Sequence, residues 1–436
     1  MIATLRRVRS RWFRLAELGE LPGVVRLLVI SQLVFNIGFY LVVPYLFGHM
    51  AGDLALAGWM VGLVLGLRTF SQQGLFFLGG ALADRFGPKP MVLLGCALRV
   101  LGFLLLGQAG SAPGIVVGAL LTGVAAALFS PAVEALLARE AGALDRSGGA
   151  RRSDVFALFA VAGELGAVVG PMLGALLLLA DFTVVCTVAA GIFVAVALAH
   201  LRWLPGHGGA HDPEPILFGW RSVLANGTFL VFAAGYAGYL VSYNQLYLAL
   251  PAELRRATGS EAALGWLFAL SSVMVVAGQL PATAWARRRL GSDRGMVVGL
   301  LGMAAGFLVV AVVAFFPPAA GPVAVVPAIA MVVLLTLGQM LAVPFAKDVV
   351  ARLAAERRLG TYFGLVHSVG GAAVLAGSTV TGALLDVSDS PGLGSASAWI
   401  VLTAVPLAGA AAMGVLARRG ALSPAHRTAS ADGGDG

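Results

Sequence analysis

Residues 79–90, GGALADRFGPKP, separate two long apolar runs with an Asp-Arg pair, a Gly-Pro reversal and a lysine. The flanking runs decide what this interruption is. Of 436 residues, 59% are hydrophobic and only 11% are charged, whereas a water-soluble globule needs about 25% charged residues to cover its surface. Apolar runs of 18 residues or more recur along the whole chain, each able to cross about 30 Å of hydrocarbon. We count about twelve of them, the first near 24–48 and the last near 396–417. No ten-residue alternation repeats, so an all-α membrane protein of twelve transmembrane helices is expected rather than a barrel. GGALADRFGPKP is then the short turn between spans two and three: its small residues let span two pack closely, and Gly87-Pro88 reverses the chain.

Charge supplies an orientation. With the N-terminus placed in the cytoplasm, most of the 29 basic residues fall in inner segments, and Arg255 and Arg256 stand in an outer loop. This asymmetry follows the positive-inside rule and puts both termini in the cytoplasm. It also accounts for the net charge of +8 without nucleic acid. The first run is too long for a signal-peptide core and is read as a span. Cys96 and Cys186 lie within spans and read as small packing residues rather than a disulfide or metal pair.

Pro and Gly mark residues 204–222 as a linker; His207, His211, Asp212 and Glu214 there match no rigid ligand pattern, so no metal is expected. The expected organisation is a basic cytoplasmic segment at 1–23, a six-helix bundle at 24–203, the linker, a second bundle at 223–418 and a disordered cytoplasmic tail at 419–436. The halves echo each other: Val155-Phe156-Ala157-Leu158 answers to Tyr362-Phe363-Gly364-Leu365, and Gly174-Ala175-Leu176-Leu177 to Gly382-Ala383-Leu384-Leu385, at nearly one offset. Together with a weaker basic echo after span eight, this reads as two pseudo-symmetric six-helix bundles.

The turn itself resembles the first signature of the major facilitator superfamily, G-x-L-A-D-R-x-G-R-K, through Gly80, Leu82, Ala83, Asp84, Arg85, Gly87 and Lys89, with Pro88 at the first basic position. The resemblance implies a conformational latch in which Asp84 docks near the start of span eleven, around Arg357, Arg358 and Gly360. The stretch Val61–Phe103, including Arg68, Gln72, Gln73, Gly74 and Arg99, is similar to the MdtH multidrug-resistance branch of that superfamily. In span five, Gly166, Gly170, Pro171 and Gly174 resemble the family's antiporter motif, with glycines every four residues forming one smooth ridge. The family's span-four arginine is absent; Ala119 stands there, which puts the usual proton-coupling arginine in doubt.

Ionisable side chains within hydrocarbon are functional candidates because their burial is costly. Glu164 lies about 15 Å into span five, near mid-membrane, with Arg68 and Arg99 at similar depths. It can titrate in proton coupling with an arginine modulating it, or form a permanent Glu-Arg pair. His367 is a weaker coupling candidate. Glu134, Lys347 and Asp348, nearer the cytoplasmic ends of spans four and ten, read as snorkelling groups or a gate pair equally with substrate contacts. Gln32, Asn36 and Tyr40 form one stripe on span one; Tyr236, Tyr239, Tyr243 and Tyr247, with Asn244, form another on span seven. With Gln72 they are expected to line a cavity suited to aromatic or cationic amphiphiles; interfacial anchoring fits Tyr247 alone.

The expected function is proton-coupled export of small amphipathic molecules or drugs by alternating access, from a monomer in the inner membrane. The alternatives are a dedicated exporter of a siderophore or antibiotic, or an uptake symporter or uniporter. No Walker A sequence or nucleophile elbow is present, so no enzyme activity and no cofactor are expected.

Overall fold

The computed structural model describes residues 21–204, 206, 223–353, 359–387 and 391–420. The expected linker, most of the basic N-terminal segment and nearly all of the tail lie outside these residues, as do Arg357 and Arg358. Among the described residues the architecture is helical throughout. Eleven helices have the length and apolarity to cross a membrane: Gly23–Asp53, Gly58–Phe86, Pro88–Gln108, Ala112–Arg146, Asp154–Leu177, Phe182–Trp203, Leu264–Arg289, Asp293–Val313, Gly321–Val350, Thr361–Leu385 and Leu393–Arg418. Gly227–Asn244 completes the twelve as span seven. Its three tyrosines and Asn244 make it less apolar than the rest.

The two halves pack alike. Span three lies against spans four and six, and span nine lies against spans ten and twelve. Span one packs on span five, and span seven on span eleven. The same neighbour pattern in both halves is the structural counterpart of the sequence echo. The chain alternates between a terminal face, where span one begins, and a distal face.

Small residues determine where helices meet. A Cβ added to Gly166 would lie 2.5 Å from the Leu33 carbonyl oxygen, one on Gly170 2.7 Å from the Tyr40 Cβ, and one on Gly174 2.5 Å from the Leu41 carbonyl oxygen. The glycine ridge of span five is thus the surface on which span one rests, and dispersion between close backbones replaces the hydrophobic effect that lipid cannot supply. Pro171 lies inside span five, and its carbonyl accepts a 2.5 Å hydrogen bond from the Tyr45 hydroxyl.

Two apolar runs are not single helices. Span two breaks after Gln73 and resumes at Phe76. The Gly74 carbonyl at the break accepts a 3.3 Å bond from the Ser368 hydroxyl of span eleven, as buried backbone at membrane depth requires. The seventh apolar run, over residues 226–250, ends as a helix at Asn244, and a short amphipathic helix, Ala249–Thr258, follows on the distal face. Its Glu253 and Arg256 pair through two 2.7 Å bonds.

Candidate functional site

The bundles meet along two seams, spans two and eleven on one side and spans five and eight on the other. Between them, at mid-depth, lies a cavity of about 260 Å3. Of the expected cavity residues, Gln32, Asn36, Tyr40, Gln72, Tyr243 and Asn244 line it. Tyr236 and Tyr239 do not: they continue the stack above, at ring separations of 5.1 and 6.1 Å toward Tyr243, buried against Phe232. Helical spacing placed all four tyrosines on one face, but that face leaves the cavity toward the terminal end and enters packed protein. Tyr247, by contrast, lines the cavity rather than anchoring at an interface.

Both mid-membrane arginines reach this cavity. Arg68 donates to the Gln72 Oε1 at 3.3 Å and to the Thr69 hydroxyl at 3.0 Å. The Thr69 hydroxyl donates onward to the Asn244 Oδ1 at 3.0 Å, and the Asn244 amide donates to the Ser378 hydroxyl at 3.2 Å. This chain of polar groups runs from the first bundle into the second. Arg99 is only 1% exposed and sits among the rings of Phe39, Phe103, Phe129 and Phe193, at 5.3–5.8 Å from each centroid. Each desolvated cation–ring contact is worth about 0.5–2 kcal/mol, against an insertion cost of about 2.5–3.5 kcal/mol for an arginine at mid-membrane. The four rings can therefore hold the charge. They give its Nε and Nη1 no acceptor, and neither has a partner among the described residues, nor has the Nε of Arg68.

Glu164 stands at the midpoint of span five but forms no pair with either arginine. Its carboxylate faces the Ser272 hydroxyl of span eight across the bundle seam, within electrostatic reach of Tyr40, Tyr243 and Tyr247. Of the two readings left open by the sequence, the permanent Glu-Arg pair is not made: span five turns Glu164 toward the second bundle, while the arginines are held by spans two and three. His367 lies elsewhere again, stacked on Phe76 at 5.3 Å and near Lys347. Lys347, on span ten, also lies within electrostatic reach of Glu134 on span four.

The turn residues are placed less uniformly than the motif implied. Asp84 and Arg85 are exposed, and no hydrogen bond or ion pair joins Asp84 to another described residue. Lys89 does not reach the second bundle; its Nζ donates to the Leu201 and Leu204 carbonyls at 3.0 and 2.7 Å, closing the end of span six. Gly87 adopts a φ of 88°, a conformation that disfavours a side chain and makes the reversal. A Cβ on Gly80 would make an ordinary van der Waals contact with Pro131, at 3.9 Å.

Three distal groups escaped the sequence reading. Asp386, at the end of span eleven, accepts from the Gly58 and Trp59 amides at 2.6 and 3.1 Å and so caps span two of the other bundle. Arg255 donates to the Gly48 carbonyl at 2.9 Å and pairs with Glu261 at 2.6 Å, bringing both onto span one's distal end. Burial pushes the Glu261 carboxyl up to about 7, although Arg255 acts in the opposite direction. The signal available beforehand was the basic pair at 255–256, which breaks the charge asymmetry of the loops.

Comparison with known proteins agrees with this architecture. The Major Facilitator Superfamily model matches residues 28–252. An MFS-type transporter of Mycobacterium tuberculosis is 40% identical over 368 residues, 83% of this chain and 86% of the relative. The multidrug resistance protein MdtH of Aeromonas hydrophila is 31% identical over 338 residues, 77% of this chain and 81% of that protein. The crystal structure of the peptide transporter POT superposes with a TM-score of 0.74 at 16% identity, covering 92% of this chain and 96% of that one. The nucleoside transporter NupG gives 0.71 at 15%, covering 91% and 100%. At such identities the structures bear on the fold alone.

Proposed function

Because the chain belongs to the major facilitator superfamily, and is therefore a multi-pass membrane transporter of small molecules rather than an enzyme, we propose that it exports amphipathic molecules from the cytoplasm in exchange for protons. The observation that carries this reading is the position of Glu164. A carboxylate lodged in a bundle seam, facing a serine and no cation, changes its solvation whenever the bundles tilt. A change in solvation is a change in proton affinity, and a group whose proton affinity differs between two conformations couples protons to transport. The glycine-proline ridge of span five and the MdtH relatives support export over uptake.

In this reading the terminal face is cytoplasmic, which the placement of basic residues supports, and the membrane is the inner membrane. Residues 24–203 and 223–418 form the two rocking bundles of a monomer. The captured state is closed on the distal side and holds its cavity between the bundles. Each proton driven inward supplies about 2.3 kcal/mol per 100 mV and about 1.4 kcal/mol per pH unit, enough for substantial accumulation.

The test is flux into inside-out proteoliposomes under an imposed pH gradient, wild type beside Glu164→Gln. The variant should bind substrate yet lose gradient-driven accumulation. Accumulation by the Gln variant at the wild-type level would remove Glu164 from the coupling role.

A further inference from the structure

Two guanidiniums share one wall of the cavity. Arg68 is 4% and Arg99 1% exposed, and both flank the Phe39 ring, at 5.2 and 5.8 Å. No aspartate or glutamate is among the described residues that line the cavity. Glu164 faces Ser272 instead, and the ion pairs among the described residues lie in loops or toward helix ends. The other cavity groups are neutral: tyrosine hydroxyls, amides, Thr69 and Ser130.

An internal counter-ion is therefore missing from a place built to keep two cations. The rings around Arg99 satisfy its charge but not its hydrogen-bonding, since a ring face accepts weakly and Nε and Nη1 have no partner. Arg68 has acceptors for its two terminal nitrogens, and both acceptors are neutral. Guanidinium donors left without an acceptor beside a cavity match the oxygens of a planar carboxylate, which can take two of them at once. Facing them, Tyr40, Tyr243 and Tyr247 present aromatic surface with polar tips, which suits the apolar body of the same ligand.

We propose that the substrates are acidic amphiphiles, each bringing a carboxylate that is received between Arg68 and Arg99 while its apolar body lies against the tyrosines. This rests on the transport reading above and narrows its substrate class. It also revises the expectation drawn from the tyrosine stripe alone: a cationic amphiphile would meet two like charges on the cavity wall, with Glu164 set behind the tyrosines and turned toward Ser272.

The test uses full-length protein in detergent, near neutral pH and free of chloride, titrated with three probes of one shape: naphthoate, naphthamide and naphthylmethylammonium. Naphthoate should bind about ten- to a hundredfold tighter than naphthamide, as one or two charge-assisted bonds provide, with the ammonium weakest. Arg68→Gln and Arg99→Gln should each bring the acid-to-amide ratio toward one, with elution profile and melting temperature reporting the fold. If Arg99→Gln does not fold, Arg68→Lys serves in its place; it keeps the charge, loses the fork and should retain only part of the preference. Naphthoate binding no tighter than naphthamide to the wild type, including no detectable binding of either, overturns the proposal. So does a preference that survives both Gln variants. Gradient-driven flux of naphthamide in the same proteoliposomes would leave the transport reading standing in those cases, whereas an acid preference without flux of any probe would support the site and sink the transport reading.

Discussion

Span two meets span eleven twice, and the two meetings differ in kind. Toward the distal face the contact is backbone on backbone: a Cβ on Gly58 would lie 2.5 Å from the Gly382 carbonyl oxygen, one on Gly66 2.8 Å from the Leu375 Cα, and one on Gly62 would overlap the Ser378 carbonyl. Asp386 then caps the seam from the other bundle. Beyond the break at Gly74 the same helix touches span eleven through a side chain, Phe77 against Gly364, and ends with Asp84 exposed. Three successive backbone approaches hold the distal stretch, whereas beyond the break the described residues show a single Cβ approach and no cap. The distal half is thus locked and the terminal half slack, the asymmetry expected of one state of an alternating-access cycle.

The largest test replaces the locked contact. Gly62→Leu puts a branched side chain where Ser378 backbone lies, and overpacking of this sort should cut flux by about a hundredfold. Spin labels at Ala55 and Val387 should move apart in the variant; an unchanged distance with unchanged flux would show that the distal seam need not close. Asp386→Ala removes two amide acceptors from the start of span two, so the distal-closed population should fall by about tenfold, in line with a lost helix cap of about 1–2 kcal/mol. The same labels read that shift.

A smaller effect depends on pH. Glu261 titrates at about 7 in the closed distal seam, above the ordinary 4.5, because it is buried there. The closed state holds the proton more tightly than an opened, solvated carboxyl does, so acid on the distal side favours closure. This contribution is fully present below the ordinary carboxylate range and is lost as pH rises through about 7. Label distances should show a population change of a few-fold across that window, and Glu261→Gln should abolish it. The smallest effect is expected on the slack side: Gly80→Ala adds a Cβ 3.9 Å from Pro131 and should change flux by less than about twofold. A large loss there would mean that the terminal half also locks.

How far the sequence could be read divides along the same line. Span number and the repeat were legible because hydrocarbon imposes length and apolarity on every segment, whatever it packs against. The span-five ridge was legible for a related reason, since glycines every four residues must lie on one helix face. The cavity was half legible. Gln32, Asn36 and Tyr40 of span one all line the cavity, but on span seven spacing could not tell Tyr243, in the cavity, from Tyr236, in packed protein. Rotational phase along a helix says which residues share a face and nothing of where a neighbouring helix ends.

Glu164, Arg68 and Arg99 show the remaining gap. Their depth followed from position in the chain, at about 1.5 Å per residue. Whether they paired depended on the orientation of three helices about their own axes, and no local pattern encodes that. The sequence by itself determined a twelve-span membrane chain with a duplicated plan and charged groups at mid-depth, because lipid acts on each segment separately. Only the tertiary structure decided that the carboxylate faces one bundle seam, that the arginines share a cavity without it, and that Asp386 and Arg255 close the distal end. Those are contacts between segments far apart in the chain, made by packing and not by any single helix.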